Sequence, residues 1–252
     1  MNTYVKAYLA GSFRDGYIGF YMEKNGKKHF VARIYSKDIE WLQTLANLVK
    51  QAYNVEMKLI IPRKGTPYIE KYDKSFVKTI AREYGHPLGK QYNWETPGFI
   101  VKSRDKELWR AYITGFFDAE GGVDIVKKQI KFYQSWDGEE CPPLLDIKKA
   151  LEEIFHIETG NVSKYTNKNG KYPRFVLRIK KKYTIKFIHE FTPLNTIKRN
   201  KINTLILTLI NTPGRQRPQN SSPAEAEGPE DWSGLKPAAE TPGHGSDGAV
   251  IR

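Results

Sequence analysis

Two acidic residues, each followed by glycine, end two similar apolar stretches of this sequence. Asp15-Gly16 follows the stretch Ala7–Phe13, and Glu120-Gly121 follows Ala111–Phe117. If both stretches are helices that lie side by side, their carboxylates meet and repel, which raises their pKa values unless a cation lies between them. Carboxylate oxygens suit Mg²⁺, which completes its coordination with water and substrate phosphates. The two acids therefore predict a metal site of the kind that in-line phosphodiester hydrolysis requires.

These stretches belong to an internal repeat. AYLAGSF and AYITGFF share Ala, Tyr, Gly and Phe at an offset of 104 residues. Asp15-Gly16 matches Glu120-Gly121 at an offset of 105, and Pro87-Leu88 matches Pro193-Leu194 at an offset of 106. Three anchors at nearly one offset indicate two copies of one fold, which we place at residues 1–105 and 106–210.

Small residues lie four apart in both stretches: Ala7 and Gly11 in the first, Ala111 and Gly115 in the second. That spacing puts each pair on one helical face and lets the two helices approach backbone to backbone. The glycine after each acid permits the turn into a following strand.

Each copy is predicted to be helix, hairpin, helix, hairpin, helix, so the fold class is α+β with antiparallel sheets. Asn25-Gly26 predicts a hairpin turn, Asp38 and Ser75 are predicted N-caps, and Gly85 is a predicted helix end. The predicted strands are Tyr17–Met22, Lys28–Tyr35, Val55–Ile61, Pro67–Tyr72 and Tyr172–Lys180, and the predicted later helices are Leu144–Phe155, Tyr183–Phe191 and Asn195–Ile210.

The formal net charge of +13 predicts a polyanionic partner, either nucleic acid or an anionic membrane surface. The longest apolar run, near Thr204–Ile210, is too short to span a membrane, and a peripheral membrane protein would have no use for two acid-ended helices. Cys141 is the one cysteine, which excludes a disulfide framework and paired-cysteine zinc fingers. Residues 211–252 contain six Pro and six Gly with few large apolar side chains, so we expect a disordered tail.

A family resemblance follows from the two motifs. ITGFFDAEG at Ile113–Gly121 resembles the LAGLIDADG motif, and LAGSFRDG at Leu9–Gly16 resembles a shorter version of it. The chain thus resembles monomeric, two-motif LAGLIDADG homing endonucleases over residues 1–210. The resemblance implies two pseudo-symmetric α-β-β-α-β-β-α repeats whose antiparallel sheets form a DNA-binding saddle, with the motif helices packed at the centre. It also implies Mg²⁺- or Mn²⁺-dependent cleavage of both strands of a long double-stranded DNA target.

The resemblance also implies residue roles. Asp15 and Glu120 would ligate the metal at the scissile phosphates, whereas Asp118 would cap or pack. Residues near the centre would position water and stabilise developing charge. The candidates for that role are Lys198, Lys90, Gln134 and Lys37, although Lys90 lies closer to its proline than Lys198 does.

The first motif is one residue short, because Arg14 stands opposite Asp118-Ala119. In an ideal helix this deletion turns the next side chain by about 100° and moves it by about 1.5 Å. A tighter final turn could absorb the change. Otherwise Asp15 is misplaced and the enzyme becomes slow, strand-biased or inactive. Arg14 could also form an ion pair with the acid and compete with the metal.

Alternation along the predicted strands leaves one sheet face free to meet base edges in the major groove, and binding should weaken steeply with salt. Arg33, Arg174 and Arg178 are the better candidates for guanine, and the lysine-rich turns at Lys24–Lys28 and Lys168–Lys171 for phosphates. The full set of predicted DNA-binding residues is Lys28, Arg33, Tyr35, Lys58, Arg63, Lys71, Lys127, Lys131, Tyr133, Lys164, Arg174, Arg178 and Lys180.

Other interpretations stay open. A degenerate repeat could bind DNA as a regulator or assist RNA splicing as a maturase, whereas an intein is disfavoured because no His-Asn splice signal is present. The N-terminus has neither a signal sequence nor a transit peptide, so we expect the protein to act where it is made. That compartment is the prokaryotic cytoplasm or, alternatively, an organelle that encodes the chain.

Overall fold

The computed structural model describes residues 2–89, 93–166 and 172–210. The first copy contains three long helices and a short fourth one, with one hairpin after the first helix and another after the second. Its elements are α1 (Asn2–Ser12), a 3₁₀ turn (Phe13–Asp15), β1 (Gly16–Met22), β2 (Lys28–Tyr35), α2 (Ile39–Tyr53), β3 (Lys58–Ile60), β4 (Tyr68–Tyr72), α3 (Lys74–Tyr84) and the short α4 (Gly98–Val101).

The second copy follows the same order. Its elements are α5 (Lys106–Glu120), β5 (Gly121–Asp124), β6 (Gln129–Ser135), α6 (Pro142–Glu153), β7 (Ser163–Tyr165), β8 (Arg174–Arg178), a 3₁₀ turn (Lys181–Tyr183), α7 (Thr184–Glu190) and α8 (Thr196–Ile210). The predicted boundary between the copies, after residue 105, falls just before α5.

The sheets confirm the repeat. Each has four antiparallel strands, in the order β1-β2-β4-β3 in the first copy and β5-β6-β8-β7 in the second. The registers correspond as well, because the glycine after each acid begins a strand: Gly16 pairs with Ile34, and Gly121 pairs with Phe132. The predicted α+β class with antiparallel sheets is confirmed.

The contact between α1 and α5 depends on two glycines. A Cβ added to Gly11 would lie 2.4 Å from the Phe116 nitrogen and 2.4 Å from the Tyr112 oxygen. One added to Gly115 would lie 2.0 Å from the Tyr8 oxygen. The two backbones therefore touch, as the spacing of small residues predicts, and Ala7, Leu9, Ala10, Ile113, Phe116 and Phe117 are fully buried around them.

Several predicted boundaries are confirmed and others are wrong. Asp38 caps α2, since its Oδ1 accepts from the Trp41 N–H at 3.0 Å. Ser75 is not a cap: α3 begins at Lys74, so Ser75 lies inside the helix, and the N-cap is Asp73, whose Oδ1 accepts from the Phe76 N–H at 2.8 Å. Gly85 ends that helix in the left-handed conformation, with φ of +67°. The second hairpin of the first copy is shorter than predicted, spanning Lys58–Ile60 and Tyr68–Tyr72.

Three predictions lie outside the described residues: Lys90, the turn at Lys168–Lys171 and the tail at 211–252. None of the helices in the described ranges has the length and apolar content that a membrane crossing needs.

The backbone contact at Gly115 predicts the cost of a single methyl group. Gly115→Ala should lower the free energy of unfolding by about 1–3 kcal/mol or more, because neither backbone can retreat without moving a whole helix. Gly98→Ala is the matched control, since a Cβ at this other helical glycine meets nothing within 4 Å. Urea denaturation followed by circular dichroism measures both. Equal stability of the two variants would contradict the proposed packing.

Candidate active site

Both motif acids lie where a motif segment meets its first strand. Glu120 is the last residue of α5 and precedes β5, and Asp15 is the last residue of the 3₁₀ turn and precedes β1. Since α1 and α5 pack side by side, the two carboxylates belong to one charged cluster, and each affects the pKa of its neighbours. The structure brings the predicted metal ligands together.

A tighter final turn absorbs the missing residue of the first motif. α5 continues as an α-helix to its acid, whereas α1 stops at Ser12 and closes with the 3₁₀ turn Phe13–Asp15. A 3₁₀ turn rises about 2.0 Å per residue instead of 1.5 Å, so fewer residues cover the same length. Asp15 therefore reaches the start of β1 despite the deletion.

Burial and mutual repulsion act on the two acids. Burial, with a smaller contribution from the Glu120 charge, raises the pKa of Asp15 from 3.8 to about 8, against the opposing effect of Lys198. Burial also raises the pKa of Glu120, while Lys198, Arg174 and Arg14 oppose the rise. At both acids the nearby positive charge does not offset the effect of burial, so the protonated form is favoured relative to a free carboxyl group.

Lys198 lies beside both acids, but its ammonium group is fully engaged. Nζ donates to the carbonyl oxygens of Phe117, Asp118 and Ala119 at 2.6, 2.7 and 3.0 Å. These carbonyls belong to the last turn of α5, which is the negative end of the helix dipole, and the Phe117 oxygen also accepts from the Gly121 N–H. Burial lowers the pKa of Lys198 to about 8, although Asp118, Glu120 and Asp15 all favour its charged form. The side chain therefore caps the second motif helix from α8.

Arg14 does not pair with Asp15, contrary to the expected competition with a metal. It is buried, and its guanidinium donates to the backbone oxygens of Trp94 and Glu95 and to the Tyr112 hydroxyl at 3.0 Å. Its Cζ also lies 4.6 Å from the centroid of the Trp94 ring. Three acceptors and an aromatic ring direct the charge away from the adjacent acid.

Asp118 packs, as the resemblance implies. Its Oδ2 accepts from the Tyr8 hydroxyl at 2.6 Å and from the Leu194 N–H at 2.8 Å, and burial raises its pKa to about 6. Tyr8 also accepts a 2.8 Å hydrogen bond from the Trp41 indole N–H. Asp118 therefore joins the second motif helix to α1 and to the segment before α8.

Asp38 has a second contact that the sequence did not reveal. Besides capping α2, its Oδ2 accepts from the Thr196 N–H, the Thr196 hydroxyl and the Ile197 N–H, at 2.5, 2.7 and 3.3 Å. One carboxylate of the first copy thus caps a helix of each copy and fixes the start of α8, the helix that carries Lys198. No sequence pattern links positions 158 residues apart.

The two remaining described candidates lie near the ends of the second strands. Lys37 is exposed between β2 and α2. Gln134 is buried, its Nε2 donates to the Ser135 oxygen at 3.3 Å, and its Oε1 has no hydrogen-bond partner within the described part of the chain. Gln134 pairs with buried Phe175, so it lies on the helix-covered face of the sheet.

The predicted DNA-binding residues divide between two sheet faces. Directly opposite residues in neighbouring strands share a face, so the registers assign each position. The faces not covered by helices carry Arg33, Tyr35, Lys58, Lys131, Tyr133, Arg174 and Arg178. Arg63, Lys127 and Lys180 lie outside the strands.

Three lysines lie on the face opposite to the one predicted. Lys71 pairs with buried Ala32, and Lys164 pairs with buried Phe175. Lys28 shares the alternation of Phe30 and Ala32, and its Nζ lies 4.8 Å from the Phe20 ring centroid. The prediction relied on charge and not on strand register. Lys131 lies on the open face, as predicted, but it is only 2% exposed and forms a 3.0 Å ion pair with Asp124.

The arginines on the open faces are held by neighbours. Arg33 binds Glu70, Arg174 lies 4.3 Å above the Tyr133 ring centroid, and Arg178 donates to the Tyr165 hydroxyl. Lys164 and Lys180 form 2.9 Å ion pairs with Glu139 and Glu158. These contacts restrict side-chain rotation and reduce the entropy that binding a ligand would cost.

Solved structures similar to this chain include the homing endonuclease I-DmoI. I-DmoI in complex with DNA and Mn has a TM-score of 0.56 and 19% identity, covering 76% of this chain and 97% of that chain. Mesophilic variants of the homing endonuclease I-DmoI have a TM-score of 0.57 and 19% identity, covering 75% of this chain and 96% of that chain. I-DmoI was also solved with target DNA and Mg, and with DNA and Ca.

Full-length DUF199/WhiA from Thermatoga maritima has a TM-score of 0.50 and 15% identity, covering 85% of this chain and 63% of that chain. No protein-family model matches the sequence, and no curated protein matches it either. At these identities the likeness establishes the fold: this chain has the LAGLIDADG homing endonuclease fold.

The raised pKa of Asp15 predicts how metal-free stability depends on pH. A carboxyl group whose pKa rises from 3.8 to about 8 on folding holds its proton more tightly in the folded state. Its stabilising contribution is complete below about pH 4 and is lost as the pH rises through 8. In EDTA, Asp15→Asn should therefore gain on the order of 1–3 kcal/mol over wild type at pH 8.5 and little at pH 4.5.

Urea unfolding at the two pH values measures this difference. Glu139→Gln is the control, because that carboxyl is almost fully exposed. If the wild type and Asp15→Asn had parallel pH dependences, the two motif acids could not form the crowded, partly buried pair described above.

Proposed function

We propose that this protein is a site-specific DNA endonuclease that hydrolyses phosphodiester bonds in both strands of a long double-stranded target. The observation that carries the proposal is the pair of partly buried carboxylates, Asp15 and Glu120, at equivalent ends of two motif segments whose helices pack backbone to backbone. A basic protein with two open, arginine-bearing sheets supplies the surface for a polyanion. We further propose that it acts as a monomer, because one chain contains both copies of the repeat.

The two acids fit a divalent cation such as Mg²⁺ or Mn²⁺. Both offer hard oxygen ligands, and burial raises both pKa values, with a further contribution from the Glu120 charge at Asp15, so a bound cation would favour their charged forms. No group of three or more candidate side-chain ligands occurs within the described ranges. Two carboxylates leave the other coordination positions to water and to phosphate oxygens, which is the arrangement that Mg²⁺ favours. When bound, the metal would polarise the scissile phosphate and activate water.

The chain's own residues would hold the acids and the DNA in position. Lys198 ties the last turn of α5 to α8, so the backbone that carries Glu120 cannot shift when the phosphates enter. The charge of Arg174 acts on Glu120, and this side chain would contact the phosphate backbone near the centre. The open faces of the two sheets would each lie in the major groove of one half-site, whose base edges carry a distinct pattern of donors and acceptors.

A DNA-binding protein without cleavage, either a regulator or a maturase, is the second candidate. The observation in its favour is the asymmetry of the site: one lysine, Lys198, contributes to the electrostatics of both acids. We place the protein in the prokaryotic cytoplasm or in the organelle that encodes it.

Cleavage should depend on both acids. With Mg²⁺ and a plasmid carrying the joined sequences that flank its own gene, wild type should produce linear DNA. Asp15→Asn and Glu120→Gln should each lose at least about 10³-fold in rate, because each removes a metal-ligating charge. EDTA should abolish cutting by wild type but leave salt-sensitive DNA binding intact.

Asp137→Asn is the control, since it changes an acid outside the charged cluster. Full activity in EDTA would disprove the metal mechanism. Nicked circles from wild type would mean that the first motif works poorly, and tight binding without cutting would favour the regulator or maturase.

Lys198→Met tests the cap on α5. It removes three hydrogen bonds to carbonyls and one positive charge from the acid cluster. We expect about 10²-fold slower cleavage and a loss of about 1–3 kcal/mol in the free energy of unfolding. Single-turnover cleavage and urea denaturation measure the two effects. Lys201→Met, an exposed position on the same helix, should change neither. If Lys198→Met had the cleavage rate and the free energy of unfolding of the wild type, Lys198 would have no role in the site.

A further inference from the structure

The centre of the open face of the first sheet is occupied by an ion pair. Arg33 on β2 and Glu70 on β4 are directly opposite, flanked by Tyr17 on β1 and Lys58 on β3, so these four residues form one row across all four strands. Arg33 Nε and Nη2 both donate to Glu70 Oε2, at 3.0 and 2.6 Å. The Glu70 side chain is only 13% exposed, so the carboxylate is held in one place.

Arg33 has little hydrogen-bonding capacity left. Its Nη1 donates to the Tyr35 hydroxyl at 3.1 Å, and its Nη2 also donates to the Tyr72 hydroxyl at 2.9 Å. Four of the five guanidinium N–H groups are thus used within the protein. Arg33 cannot present its fork to guanine O6 and N7 without breaking the bidentate pair.

Glu70 is the member of the pair with spare capacity. Both bonds from Arg33 go to Oε2, which leaves Oε1 able to accept. Among base edges in the major groove, the amino group of cytosine is a donor that a carboxylate can recognise. A bare carboxylate would be repelled by DNA phosphates, but Arg33 and Lys58 on either side offset its charge.

The second sheet has the opposite chemistry at the same place. Counting from the glycine that follows each acid, Gly16–Ile34 corresponds to Gly121–Phe132, and the next row outward pairs Arg33 with Glu70 in one sheet and Lys131 with Arg178 in the other. Glu70 therefore corresponds to Arg178, which is a donor where Glu70 is an acceptor.

We propose that Glu70 is a specificity-determining residue that accepts a hydrogen bond from the cytosine amino group in one half-site, while Arg178 donates to guanine at the symmetry-related position of the other. The target thus departs from two-fold symmetry at this base pair. The inference rests on the proposed function, since it requires the open faces to contact duplex DNA.

The test is selection of bound sequences from a pool of duplexes randomised across the target, with Ca²⁺ present, followed by sequencing. Wild type should enrich cytosine at one position of one half-site. Glu70→Gln should reduce that preference about tenfold and favour adenine there, because an amide can pair with adenine N6 and N7. Preferences at other positions should not change. Glu153→Gln, which changes an exposed glutamate on α6 of the second copy, should reproduce the wild-type profile.

Removing one partner of the ion pair leaves the other uncompensated, so Glu70→Gln could unfold the sheet. The double variant Arg33→Ala/Glu70→Ala removes both charges, and circular dichroism checks its fold. It should lose the cytosine preference at that position alone. Unchanged profiles in both variants would overturn the inference while leaving sequence-specific binding established. If wild type itself enriched no sequence, the proposed function would fail, and this inference with it.

Discussion

The approach of two helix backbones at Gly11 and Gly115 is the constraint on which the rest of the structure depends. A single methyl group on either glycine would collide with the main chain of the other helix, so the distance between α1 and α5 cannot vary. The residues that follow the two helices are therefore positioned by this contact. Asp15 and Glu120 are held together, and their repulsion and burial follow from the packing upstream.

The two copies place charged side chains of opposite sign next to equivalent tyrosines. Tyr8 in α1 and Tyr112 in α5 occupy matching positions of the repeat. The Tyr8 hydroxyl donates to Asp118, whereas the Tyr112 hydroxyl accepts from Arg14. Asp118 in turn accepts from the Leu194 N–H, and Arg14 donates to the Trp94 and Glu95 carbonyls. The deletion in the first motif is therefore accompanied by a reversal of hydrogen-bond polarity, although Arg14 Nε and Asp118 Oδ1 have no hydrogen-bond partner within the described residues.

Local signals in the sequence predicted local structure well. The Asn25-Gly26 turn, the Asp38 cap and the paired glycines correspond to features a few residues in extent, and the repeat extended them to both halves. Predictions failed where tertiary contacts decide. Lys71 and Lys164 were assigned by charge, but strand register places them on the helix-covered faces. The sequence allowed an ion pair between Arg14 and Asp15, yet the hydrogen-bond partners of Arg14 lie about 80 and 98 residues away, at Trp94, Glu95 and Tyr112.

The double cap at Asp38 limits how the two copies can be exchanged between related proteins. A carboxylate from the first copy completes the start of α8 in the second, so the copies are no longer interchangeable modules. A hybrid that joined the first half of one such protein to the second half of another would keep both sheets and both motif helices. It would keep all three hydrogen bonds of this cap only if one parent supplied the acid at 38 and the other a hydroxyl side chain at 196. Compatibility between halves is thus decided by a helix cap as much as by the motifs themselves.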